Sequence, residues 1–359
     1  MPKKRVALIG TGGIAKSHAE VLQQEVDDAE LVAVVDVRED AVKAFAENYT
    51  VSACYTDAGT MLSEEKPDIV HICTPPQLHC ELSVQALEAG AWVLCEKPLA
   101  ASLKELDLIA DAEERTGRYC SSVYQWRFGA GAQHLKKVIA EKEMGKPLLG
   151  ICQTTWYRGD AYYAVPWRGT WASELGGCTM GHGIHAVDLF LWLYGAWQSV
   201  SAKIGTLDHD IEVEDISLAL VQFENGALGN IINSVVSPRQ ESYIRLDFQE
   251  STVELRHLYA YENKDWAYSV YEGSSHIKTL KNWATLPDEK RSAFGEQVRH
   301  HLDCFEKNER PLTSGVGARM TLEFIASLYK SALTGQAVER GSITSGDPFY
   351  ERMNGGLRI

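Results

Sequence analysis

Between residues 6 and 15 the chain reads Val6-Ala7-Leu8-Ile9-Gly10-Thr11-Gly12-Gly13-Ile14-Ala15, an apolar strand that passes through GxGxxA into a helix. Gly10 permits the tight turn, Gly12 lets the backbone approach a pyrophosphate, and Ala15 lets the helix pack closely on the strand. The helix opens at Gly13 and Ile14, whose end of the helix offers free N–H groups to phosphates. Asp36 ends the next strand-like run, LVAVVD. A carboxylate there can accept both hydroxyl hydrogens of an adenosine ribose. The segment predicts a bound dinucleotide. Asp36 favours NAD, because a 2′-phosphate would meet a like charge. Arg38 could pair with that phosphate or stack on adenine, so NADP stays open.

The first 120 or so residues continue this pattern. Strand-like runs at 5–9, 31–36, 68–73, 92–95 and 119–123 alternate with helical stretches at 14–26, 39–48, 79–89 and 102–116. Continuous apolar runs mark strands buried on both faces. Their alternation with helices marks a doubly wound parallel sheet. After about residue 145 the pattern changes. Runs at 148–157, 200–207, 216–223, 227–236, 243–248 and 252–258 look like strands, and Asn225-Gly226 is a hairpin signal. Helices are expected at 182–194, 294–307 and 318–333. The fold class is therefore α/β: a Rossmann domain over 1–125, then an α+β domain over 126–359 with a large, mostly antiparallel open sheet. The last helices could pack back on the first domain.

With 359 residues the chain is too long for one ordinary core. A net charge of −14 without a basic stripe argues against nucleic acid as a partner. No apolar run reaches the 18 or so residues of a membrane span. The apolar run 6–9 is too short for a signal peptide. Eight cysteines without CxxC spacing read as reduced thiols, which points to the cytoplasm. His300-His301 read as a surface pair without a role.

The glycine loop, Cys73-Thr74-Pro75-Pro76 with His79, and Glu96-Lys97-Pro98 together resemble the Gfo/Idh/MocA family. Gly176-Gly177 and Gly183-Ile184-His185-Ala186-Val187-Asp188 extend the resemblance into the second half. It implies a dehydrogenase or reductase acting on the CH–OH groups of sugars, anhydro-sugars or cyclitols. It also implies homodimers or homotetramers built through the open sheet. Thr74, Pro75, His79 and Glu96 would flank the nucleotide, and Trp167-Arg168 would lie close to cofactor and substrate. Lys97 would be the active-site lysine. It follows a strand end, where ligands of open α/β sheets gather. An oxidised nicotinamide nearby would lower its pKa and suit it to exchange a proton with a hydroxyl. Pro98 could hold it through a cis bond.

His185 would be the second proton-transfer group. The family pattern places an aspartate four residues before it, where this chain has Gly181. His182 could take that place. Asp188, three residues after His185, could fix the imidazole tautomer from the same helix. The spacing of His182, His185 and Asp188 does not suit a metal, and none is expected. Tyr157-Arg158, Tyr162-Tyr163 and Trp167 to Trp171 form an aromatic stretch suited to sugar rings. Tyr157 and Arg158 are candidate substrate residues, as are Tyr124 and Arg127, although some of these aromatics could equally pack a core. Two other readings stay open: cleavage of a glycoside by transient oxidation with NAD, and a non-catalytic dinucleotide-binding sensor.

Overall fold

Six strands lie parallel in the first half: β1 Lys4–Ile9, β2 Ala29–Val35, β3 Ala53–Tyr55, β4 Ile69–Ile72, β5 Trp92–Cys95 and β6 Cys120–Ser122. Their order across the sheet is β3-β2-β1-β4-β5-β6. This is a Rossmann arrangement whose order reverses between β1 and β4. Every residue of β4 and β5 is buried, which explains sequences that are apolar but for His71. The computed structural model describes residues 2–359.

The chain forms two compact units. One holds the residues up to Val123 together with Phe294–Arg319; the other holds Tyr124–Ala293 and Met320–Ile359. The division thus departs from a single boundary at 125/126. Its cause is the helix Phe294–Lys307, whose Val298, Leu302 and Cys304 join the core formed by Val6, Leu8, Ala19, Leu22 and Trp92. His301 of that helix is buried against Trp92, not on the surface as the sequence suggested. Burial pushes its pKa down to about 3.

The second unit is built on eight strands. They are β7 Pro147–Tyr157, β8 Trp197–Gly205, β9 Ile216–Phe223, β10 Leu228–Ser234, β11 Val236–Phe248, β12 Thr252–His257, β13 Trp266–Ser269 and β14 Val338–Glu339. Their order is β13-β12-β11-β7-β10-β9-β8-β14. All neighbours are antiparallel except β7 and β10, which run parallel at the sheet centre. The helix Ile184–Tyr194 lies on one face and is buried at every position but Trp192. Gly150 of β7 makes room for it: a β-carbon there would come within 2.6 Å of the Phe190 ring. The other face is open, and Leu218, Leu220, Leu228 and Leu149 stand exposed on it. Among the described residues no helix is long and apolar enough to cross a membrane.

Candidate functional site

Parallel strands direct all their carboxyl ends to one edge. Gly10, Asp36, Thr74 and Lys97 follow β1, β2, β4 and β5, so the sheet collects them there. Gly10 has φ +92°, and a β-carbon on it would lie 2.7 Å from the Cys73 carbonyl oxygen. Only glycine serves at this turn. Gly12 is the N-cap of the helix Gly13–Gln24, and β-carbons at Gly12 or Gly13 would meet no atom within 4 Å. Ile14 is exposed over the same helix start. The Thr74 hydroxyl is buried without a hydrogen-bond partner among the described residues. An open cradle at a helix N-terminus, beside an orphaned hydroxyl, fits a dinucleotide phosphate.

Asp36 is held tightly. One carboxylate oxygen accepts the Thr11 N–H at 3.0 Å and the Thr11 hydroxyl at 2.7 Å. The other accepts the Arg38 N–H at 3.0 Å and Nε–H at 3.2 Å. Burial raises the pKa, but these donors outweigh it and hold the carboxyl at about 2. Arg38 therefore serves Asp36 in this structure, and its side chain remains 64% exposed, free to swing aside for a ribose.

Two of the expected nucleotide contacts prove to be supports. The His79 ring nitrogens lie 2.7 Å from the Pro98 carbonyl oxygen and 2.9 Å from that of Thr74. Both nitrogens of the buried imidazole face backbone carbonyls, between the loop after β4 and the turn after β5, so neither is turned toward a nucleotide. Glu96 turns one oxygen to His18 Nε2 at 3.2 Å, and its other accepts the Lys97 N–H at 3.1 Å. His18 Nδ1 in turn meets His71 Nδ1 at 3.1 Å. Burial holds the His71 pKa well below its usual value, so His71 is neutral. His71, His18 and Glu96 thus form one continuous hydrogen-bonded chain. This network fixes the backbone that carries half-buried Lys97, next to a cis peptide at Pro98. Sequence reasoning missed both histidines, which hide in an apolar helix face and an apolar strand.

In the second unit the glycine-rich run forms one π-helical turn, Thr179–Gly183, before the α-helix begins at Ile184. Such turns favour functional sites. Close packing makes the turn possible: β-carbons at Gly177 and Gly183 would overlap Glu214 and Asn233. Glu214 is buried and accepts the N–H groups of Gly177 and Thr179 at 2.9 and 3.0 Å. The turn carries His182, whose Nε2 accepts the Arg158 Nε–H at 2.9 Å. A guanidinium can only donate, so His182 is the neutral Nδ1–H tautomer and its lone pair is spent. It cannot act as a base, contrary to the sequence-based expectation, while Arg158 stays in place.

His185 stacks on Trp126 at 5.6 Å and meets Tyr259 edge-on at 5.9 Å. Asp188 does not orient it. Its carboxylate takes a bidentate pair from Arg127, at 2.7 and 2.5 Å, and the Thr321 hydroxyl at 2.8 Å. Burial pushes the Asp188 carboxyl up, against the pull of Arg127 and Thr321. Both partners are about 1% exposed, so Arg127 and Asp188 are an internal brace and not cleft residues. Tyr124 is buried to the same degree.

Arg168 pairs with Glu174 at 2.9 Å and lies over the rings of Tyr162 and exposed Trp167, at 3.7 and 4.3 Å. Tyr157 is half exposed. Tyr163 packs on His209 and Trp171 on Tyr329. At Gly181 a β-carbon would have only Glu174 within reach, at 3.7 Å, so an aspartate there would meet a like charge.

Residues 4–124 match the family model described as an oxidoreductase family with an NAD-binding Rossmann fold, and residues 132–254 match the GFO/IDH/MocA C-terminal domain. The chain belongs to the GFO/IDH/MocA oxidoreductase family. Among GFO/IDH/MocA relatives, D-apiose dehydrogenase of Paraburkholderia graminis is 26% identical over 95% of this chain and 91% of its own. D-glucoside 3-dehydrogenase of Escherichia coli is 28% identical over 93% of this chain and 97% of its own. The WlbA dehydrogenase of Bordetella pertussis, crystallised with NADH and UDP-GlcNAcA, superposes with a TM-score of 0.83 at 26% identity, over 94% and 98% of the two chains. The protein is thus an NAD-binding oxidoreductase whose relatives are dehydrogenases of sugars, glycosides and inositols.

Proposed function

We propose that this oxidoreductase interconverts a secondary alcohol and a ketone on a sugar-like ring, with Lys97 and His185 in proton transfer. The observation that carries the reading is the carboxyl edge of the parallel sheet, where an open glycine cradle, a ribose-ready carboxylate and a braced lysine follow neighbouring strands. When bound, NAD supplies the hydride acceptor. Lys97 exchanges the hydroxyl proton, and the Glu96–His18–His71 network keeps its backbone in place. His185, set between the Trp126 and Tyr259 rings, is the second group that takes the proton and passes it on. Tyr157, Trp167 and Tyr162 offer flat faces for a sugar ring. The names of the relatives support a substrate of this class.

The test is NADH formation with a panel of aldoses, glycosides, inositols and uronates. Signal with one group of compounds supports the reading. Silence across the panel, in protein that binds NAD, overturns it.

The same reading includes a homodimer or homotetramer formed through the open sheet face. Leu218, Leu220 and Leu228 lie on adjacent strands there, and exposed apolar surface of this kind marks an interface. Leu220→Lys should shift sedimentation toward monomer; unchanged sedimentation counts against this interface. The reading places the protein in the cytoplasm, in keeping with eight unpaired cysteines.

A further inference from the structure

Arg158 is the exception in its surroundings. Arg127 has Asp188, and Arg168 has Glu174. The Arg158 guanidinium meets neutral groups: His182 Nε2 at 2.9 Å, the Tyr157 carbonyl at 2.9 Å and the Tyr162 hydroxyl. Among the described residues no carboxylate lies within ion-pair distance of it. Glu174, a buried acid of the cluster, is already bonded to Arg168 and to the Gly169 N–H at 2.7 Å. Aromatic rings confine the group further, with Trp156 at 5.2 Å and Tyr162 at 5.3 Å. A half-buried cation loses part of its hydration, and a fold that needs it only for support would give it a counter-charge.

The bond to His182 also fixes its orientation. Nε is committed, and the outer N–H groups not used by Tyr157 and Tyr162 remain as donors in the planar fork that matches an oxyanion. The neighbouring Gly181 leaves space that a side chain would fill. We infer that Arg158 binds an anionic substituent carried by the substrate, a carboxylate in the first instance, so that the ring oxidised here belongs to an acidic sugar. The inference rests on the dehydrogenase reading above and names its substrate class. A guanidinium would accept a phosphate by the same chemistry, and the experiment separates the two.

Matched ligands should be titrated calorimetrically into NADH-loaded protein: each of several hexoses, its uronate and its 6-phosphate. In at least one set the uronate should bind at least about tenfold tighter than the neutral sugar, with a margin that narrows as salt rises. Arg158→Gln should collapse that margin, and Arg158→Lys, which keeps charge but not the fork, should retain part of it. A larger margin for the 6-phosphate, also lost in Arg158→Gln, keeps the anion site and assigns it to phosphate. Equal binding within every set, tighter binding of neutral sugars, or a margin that survives Arg158→Gln in protein melting at the wild-type temperature overturns the inference. NADH formation separates this from the parent reading. Neutral sugars oxidised without an acid preference would sink the anion site alone. Acids bound but never oxidised would sink the dehydrogenase alone.

Discussion

The two units use charge in opposite ways. At the edge of the parallel sheet, polar groups are supported from behind and left open in front. Asp36 is gripped by Thr11 and by an exposed arginine that can leave, and Lys97 stands on a backbone fixed by Glu96, His18 and His71. In the second unit most charged groups satisfy one another. Arg127 and Asp188 form a buried pair, Arg168 is held by Glu174, and Glu214 is consumed by backbone N–H groups. The parallel sheet delivers side chains to one edge by topology alone. An antiparallel sheet with a helix across it has no such edge, so its polar residues are placed by pairwise bonds.

That contrast can be broken by substitution. Lys97→Ala should lower turnover by about 10²–10⁴-fold, with NAD affinity within a few-fold of wild type by fluorescence titration. An active variant would end the assignment of Lys97. Arg127→Met should cost about 3–5 kcal/mol in urea unfolding, because it leaves Asp188 charged and buried. Pairing it with Asp188→Leu should recover most of the loss, and a mild single mutant would show that this pair is no brace. Asp36→Ala should weaken NAD about tenfold and NADP less; the reverse order of the two cofactors would refute the ribose assignment.

The smallest effect is on acid stability. The folded pKa of Asp36, about 2, lies below its ordinary value of 3.8. The unfolded state therefore binds the proton first. The stabilisation is complete above pH 4 or so and fades as pH falls toward 2. Acid unfolding curves of wild type and Asp36→Asn should converge over that interval. Curves that converge only near neutral pH would contradict the pairing with Thr11 and Arg38.

The first unit was easier to read for a physical reason. Strands buried on both faces are apolar almost throughout, so IVHI and WVLC announce themselves, and a glycine at positive φ beside a carbonyl has no substitute. Short edge strands carry no period, and β3 and β14, with three and two residues, escaped notice. So did the helices Ala58–Glu65 and Ala130–Ala140. In the second unit His182 was expected to open the α-helix, but the π turn begins at Thr179 and re-aims it toward Arg158. The pairing of Asp188 with Arg127 spans 61 residues, and helical spacing pointed instead to His185. Glu174 lay in no motif, and only the fold shows it beside Gly181.

The helix Phe294–Lys307 has a consequence for how the chain is made. Residues up to Val123 leave the ribosome before the second unit, yet their core lacks Val298, Leu302 and Cys304 until the helix Phe294–Lys307 has been made. Phe294, which covers the His18 ring at 4.1 Å, arrives equally late. At roughly 5–20 residues per second, the 170 residues between Val123 and Phe294 take on the order of 10–30 s to synthesise. During that interval the nascent sheet shows an uncovered apolar flank and an unfinished histidine pair. A chain cut before residue 294 would carry the whole glycine loop without Val298, Leu302 and Cys304 in the core that steadies it.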